Sequence, residues 1–295
     1  MVKKSDVKPL KKALDTSYAD IQLEYFILKI TDYLRVKDQS INPAVSRQFR
    51  EIRTSLIRAR DTALIGSYAY NRFFSVEKRT EAIDTLQQNT LTKILCLPKS
   101  GSHLFIAGYT ELSNESIDGH AVAFEVICRG NAYDITVFNT GEGAEFHDKA
   151  GKRKVFPLQW KGFSYTSIQE ITLGLEGWVY GTLTSIKQIY DLLDSHAKER
   201  ITRPEGYAPY SEQGIIGSCN HKAIRVWIHH KLRAFAPNEY WSFRQFCTRD
   251  LLDQVKKIEK ADCLTIPDIS DMHLTTIKTN AKAVFNKRAA KNRTF

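Results

Sequence analysis

Residues 119–141 read GHAVAFEVICRGNAYDITVFNTG. Two runs rich in β-branched and aromatic residues flank the dipeptide Gly130-Asn131, which accepts positive φ and closes hairpins. An antiparallel hairpin takes its register from its turn. With the turn centred here, residues whose numbers sum to about 261 face one another. His120, heading the first strand, then lies opposite the neighbourhood of Asn139 at the end of the second. HLFIAGYT at 103–110 and LTKILCL at 91–97 read as further strands.

Upstream the texture changes. Ile21, Phe26, Ile27, Ile30 and Leu34 recur at helical spacing, as do Ile52, Leu56, Ile57 and Leu64, so residues 6–90 read as helical. KDQSINP breaks this region, with Asn42 as a cap and Pro43 in the first turn of the second helical segment. Downstream, strands are expected around Val155–Trp160 and Gly177–Thr184, and helices over Ile186–Ala197, Ala223–Ala234 and Tyr240–Ile258. Helices, then strands, then helices predict an α+β fold: a mainly antiparallel sheet flanked by helices. The chain divides into three regions: an N-terminal helical region over 1–90, a strand-bearing domain over 91–275, and a loosely ordered basic tail over 276–295.

The chain has 295 residues, 42% of them hydrophobic and 26% charged, a composition that folds. No apolar run approaches the roughly 20 residues of a membrane span, so no transmembrane segment is expected. MVKKSDVKPLKKALDTS has basic residues but no apolar stretch behind them, unlike a secretory signal. A cytoplasmic location is expected, or delivery into a host cell by a route without a signal peptide. The five cysteines (Cys96, Cys128, Cys219, Cys247 and Cys263) are an odd number without a CxxC pair. That argues against a disulfide framework and against a zinc ribbon. The net charge of +10 gathers near Lys3–Lys12, along Arg47–Arg60 and in the tail. It suits an acidic partner such as nucleic acid, an anionic membrane face or an acidic protein, or simply a solvated surface. Lys287-Arg288 is too short for a nuclear signal.

Residues 211–227, SEQGIIGSCNHKAIRVW, set Cys219 after Gly217-Ser218 at the start of an amphipathic run. A helix N-terminus and a nearby imidazolium both lower a thiol pKa, and the thiolate is the nucleophile. His120 is the candidate base. Asn139 is the candidate orienter of its ring, accepting from an imidazole N–H through the amide oxygen, with Glu142 as the alternative. Gln213, with the backbone N–H of Cys219, is a candidate oxyanion hole. Two other groupings compete. Cys96, His120 and Asn139 occur in papain-like order, yet Cys96 sits in KILCLP with no helix behind it. Cys219, His221, His229 and His230 offer zinc ligands without a standard spacing. No cofactor and no metal are expected.

The order His, orienter, Gln, Cys resembles the clan of cysteine proteases that includes the SUMO and ubiquitin-like-protein proteases. Adenovirus-type maturation proteases and bacterial effector deubiquitinases and acetyltransferases belong to the same clan. GHAVAFEV with His120, ITVFNTG with Asn139, and the stretch from Gln213 to Cys219 carry the likeness, over roughly residues 100–232. Ala121 follows the histidine where many members have tryptophan, and Asn220 follows the cysteine where most have glycine. The resemblance implies a thiol protease that cleaves after the C-terminal tail of ubiquitin or a ubiquitin-like protein. The N-terminal helices would then recognise a partner or direct the enzyme to a site. It equally implies an effector-type acetyltransferase working through the same Cys–His site. The charge alone leaves a third reading, a non-enzymatic binder of nucleic acid or membrane surfaces.

Overall fold

The computed structural model describes residues 19–37, 40–69, 76–112, 117–176, 185–212, 219–233 and 235–260. Within them lie seven helices: α1 (Ala19–Lys37), α2 (Pro43–Ala69), α3 (Val76–Leu95), α4 (Tyr165–Glu176), α5 (Ile186–His196), α6 (Cys219–Arg233) and α7 (Pro237–Lys260). Five strands form an antiparallel sheet in the order β1-β2-β3-β5-β6: β1 (Ser102–Leu112), β2 (Ile117–Cys128), β3 (Tyr133–Phe138), β5 (Leu158–Phe163) and β6 (Glu199–Ile201). Two short strands, β4 (Lys154–Val155) and β7 (Tyr210–Ser211), pair beside it. The chain is α+β, with helices flanking a mainly antiparallel sheet, as its sequence predicts.

The central hairpin carries the expected register. Paired numbers sum to 261 throughout, from Ala123–Phe138 to Cys128–Tyr133. Gly130 takes the positive φ, at 95°, and Arg129 N–H bonds the Ala132 carbonyl at 2.7 Å to close the turn. Asn42 caps α2 as read, its Oδ1 accepting from Ala44 N–H at 2.8 Å, with Pro43 at the first helical position.

Both faces of the sheet are covered. Leu104, Ile106, Ala123 and Phe138 share one core with α1, α2, α6 and α7. Phe105, Val122, Phe124, Ile135, Val137 and Trp160 share the other with α4 and α5. An antiparallel sheet with a wet face would alternate apolar and polar residues. Here β2 reads as a nearly unbroken apolar run instead, and Val122, Ala123 and Phe124 are all fully buried. Glu125 interrupts it, as Thr136 and Gln159 interrupt β3 and β5. They pair in one row across β2, β3 and β5, and Lys231 from the last turn of α6 ion-pairs with Glu125.

Two expectations need correction. LTKILCL is not a strand: Leu91–Leu95 forms the last turns of α3, whose buried face runs through Ile83, Leu86, Leu91 and Ile94 at helical spacing. The boundary expected at residue 90 therefore falls inside a helix. The helices before it also share a core with α6, and Gln22 of α1, fully buried, meets His221 Nδ1 at 3.0 Å. The strand expected over Gly177–Thr184 and the basic tail lie outside the described residues.

Candidate active site

α6 begins at Cys219. The first N–H groups of a helix have no partner within it, and their dipoles favour negative charge at that end. Cys219 lies close enough to the His120 ring and to the backbone N–H groups of Ala121 and Asn220 for all three to favour its thiolate. Ala121 is reachable because β3 is shorter than β2. The pairing of β3 ends at Phe138 opposite Ala123, so residues 117–122 of β2 are paired with β1 but have no β3 residue on their other side. Cysteine and histidine, 99 positions apart in sequence, meet where the sheet steps down.

Asn139 follows the last residue of β3 and is fully buried. Its Oδ1 lies 2.7 Å from His120 Nε2 and 3.0 Å from Gly141 N. An amide oxygen only accepts, so Nε2 carries the ring proton. That leaves Nδ1 to face the sulfur. Asn139 Nδ2 donates to the Glu142 carbonyl at 2.6 Å and to the Tyr190 hydroxyl at 3.0 Å. Tyr210 donates to the Asn139 carbonyl at 2.9 Å. Glu142, the alternative orienter, turns instead to the Tyr109 hydroxyl, and Tyr109 is the cross-strand partner of His120.

The electrostatics follow from these contacts. Burial pushes the Cys219 thiol up, but the His120 ring and the two backbone N–H groups outweigh it and hold the thiol below its ordinary range. Burial likewise pulls His120 down. The sulfur, the Asn139 oxygen and the Glu142 charge outweigh that, so the net shift is upward. Both displacements favour a thiolate–imidazolium pair. Such a pairing suits a nucleophile served by an adjacent base.

The other sequence candidates are dispersed. Cys96 is exposed just past the C-terminal end of α3, apart from His120 and Asn139 at the far end of the β2–β3 hairpin. Of the possible zinc ligands, His221 turns to Gln22, His229 stacks on Tyr240 and His230 stacks on Tyr207. Among the described residues no three His, Cys, Asp or Glu side chains gather to hold a metal. Gln213 lies outside the described residues.

Several residues that shape the site lie outside the motifs read in the sequence. Gly108 faces Ala121 across β1–β2, and a Cβ there would sit 1.8 Å from the His120 carbonyl oxygen. Gly143, at φ 84°, brings the chain back over Asn139, and a Cβ would lie 3.0 Å from its Nδ2. A glycine in a strand signals close backbone approach, so Gly108 was open to that reading. Tyr190 and His147 carry no local pattern that points to them.

Comparison with known proteins returns no match: no family model fits the chain, and no curated protein and no solved structure matches it.

Proposed function

We propose that the protein is a cysteine-dependent hydrolase that cleaves the peptide or isopeptide bond after the flexible C-terminal tail of ubiquitin or a ubiquitin-like protein. One observation carries the reading: the His120 ring stands beside Cys219 at the head of α6 and is hydrogen-bonded, through Nε2, to the oxygen of Asn139. Cys219 attacks the carbonyl carbon as the thiolate. His120 returns its proton to the departing amine, leaving an acyl-enzyme. His120 then takes a proton from water, whose oxygen attacks the thioester and releases the acid with the thiol restored. The backbone N–H of Cys219 and the side chain of Gln213 are the donors assigned to the oxyanion. The substrate class rests on the order of His120, Asn139, Gln213 and Cys219, which resembles that of ubiquitin-like-protein proteases. Among the described residues no helix is long and apolar enough to cross a membrane.

The test is labelling with a panel of ubiquitin-like proteins bearing a C-terminal electrophile, alongside acetyl-coenzyme A. One or more protein probes should label the chain, and Cys219→Ala and His120→Ala should abolish labelling. An acetyl group retained on Cys219, with every protein probe silent, would replace the hydrolase with an acetyltransferase. Binding to nucleic acid or anionic vesicles that falls steeply with salt and ignores Cys219→Ala, with no acylation at all, would retire both.

A further inference from the structure

The orientation of Asn139 can be traced outward from a backbone carbonyl. His147 Nδ1 lies 2.7 Å from the Phe156 carbonyl, and a carbonyl only accepts, so that nitrogen carries a proton. His147 is buried, and burial pulls its pKa down to about 4, so near neutral pH the ring carries a single proton. Its Nε2 must then accept, and the group 2.7 Å away is the Tyr190 hydroxyl. Tyr190, having spent its one proton there, receives from Asn139 Nδ2. The Asn139 oxygen is left for His120. Each bond has one permitted direction.

Gly141 N–H and the Glu142 carbonyl also bond the Asn139 amide, but both belong to the turn that carries the asparagine. They fix the amide relative to that turn. Tyr190 comes from α5, and His147 ties α5 to the strand region near Phe156. These two fix the amide relative to the rest of the molecule. Among the described residues, Arg200 lies 6.0 Å from the Tyr190 ring centroid and acts on His147 as well, and Glu145 acts on Tyr190.

We infer that Tyr190 and His147 are positioning residues for the reaction proposed above, anchoring Asn139 so that its oxygen meets His120 Nε2 and leaves Nδ1 free for the sulfur. The role deepens that proposal and rests on it for its purpose, while the geometry can be tested without substrate. NMR of His120 in the inactive Cys219→Ala protein should show a neutral ring protonated on Nε2. Adding Tyr190→Phe should mix in the Nδ1-protonated form and lower the titration midpoint. In the Cys219-containing protein, Tyr190→Phe should slow iodoacetamide alkylation of Cys219 near pH 6 about three- to tenfold, a shift of half to one pH unit. Ile189→Val on the same helix is the control: it loses packing in α5 yet should leave His120 and Cys219 unchanged. If Tyr190→Phe does not fold, His147→Phe gives the same reading, since it removes the acceptor that aims the Tyr190 hydroxyl. His120 signals identical with and without the substitution overturn the inference. Failure of every probe to label, together with the tautomer change, retires the hydrolase and leaves the positioning role standing.

Discussion

Gly108 and His120 approach so closely across β1 and β2 that a single methyl group at 108 would overlap the His120 carbonyl oxygen. The strand carrying the candidate base is thus held by a neighbour that has no side chain. Gly108→Ala should part the strands, lowering stability by about 1–3 kcal/mol and reducing Cys219 reactivity with it. Gly130→Ala is the contrast. It meets nothing within 4 Å but forces an alanine to φ 95°, so it should cost stability while leaving Cys219 reactivity intact in the folded protein. Thermal melts paired with alkylation rates separate the two, and equal effects on reactivity would contradict this account.

The cysteines should differ sharply toward iodoacetamide. Cys219 is held below the usual thiol range and should react first, at a pH where ordinary thiols are still protonated. Cys96, exposed to solvent, should follow. Cys247, pushed up to about 12 chiefly by burial, should react last. His120→Ala should move the Cys219 inflection upward, because the ring no longer stabilises the thiolate. Peptide mass mapping across pH 5–9 reads all three, and an unshifted inflection would falsify the pairing.

Acid should destabilise the fold through its neutral histidines. Burial is the main cause that takes His103 down to about 3 and His147 down to about 4. Between these values and about 6.5 the unfolded chain binds protons that the folded chain refuses, so stability rises with pH there. It is fully present above about pH 6.5 and is lost as pH falls toward 4, at up to about 1.4 kcal/mol per pH unit for each such histidine. His103 stacks on Phe105, and its Nε2 has no hydrogen-bond partner. His103→Phe should therefore flatten the dependence by one histidine's share in urea melts from pH 7 to pH 4.5. An unchanged slope would rule it out as a contributor.

Lys231 and Glu125 pin the far end of α6 to the sheet. Glu125 is fully buried, so Lys231→Met strands a carboxylate in the core and should cost about 3–5 kcal/mol. Removing both charges, with Glu125→Leu and Lys231→Met, should recover most of that, since well-packed apolar replacements of buried pairs are often neutral. Denaturant melts of the two single variants and the double give the coupling. A double variant as weak as Lys231→Met would mean the charge itself is not what matters.

How far the fold could be read in advance depended on where the deciding contacts lay. The β2–β3 register was legible because Gly130-Asn131 fixes it locally, and Asn42-Pro43 marked the start of α2 for the same reason. The last turns of α3 were misread because a window opening at Leu91 sees only an apolar cluster; extended back to Ile83 and Leu86, the helical period emerges. α4 was overlooked although Ile168, Ile171 and Leu175 share one face and Ser164 Oγ caps it, accepting from Ser167 N–H at 3.0 Å. Its β-branched residues and Gly174 masked the signal. At the site, Cys219, His120 and Asn139 announced themselves by residue type at the ends of elements. Tyr190 and His147 reach Asn139 only through tertiary packing, and no spacing along the chain encodes that.

The contact between Gln22 and His221 has a practical side. It joins the amino-terminal helix to the turn just after Cys219, and Phe26 packs its ring against the same imidazole at 4.8 Å. A fragment trimmed to begin at residue 91 would strip the cover from Ala223, Ile224 and Trp227 and expose a greasy flank beside Cys219. Such a trimmed version should clump during purification, whereas one starting ahead of Ala19 should stay in solution. The helices before the sheet are better regarded as a wall behind α6 than as a detachable handle.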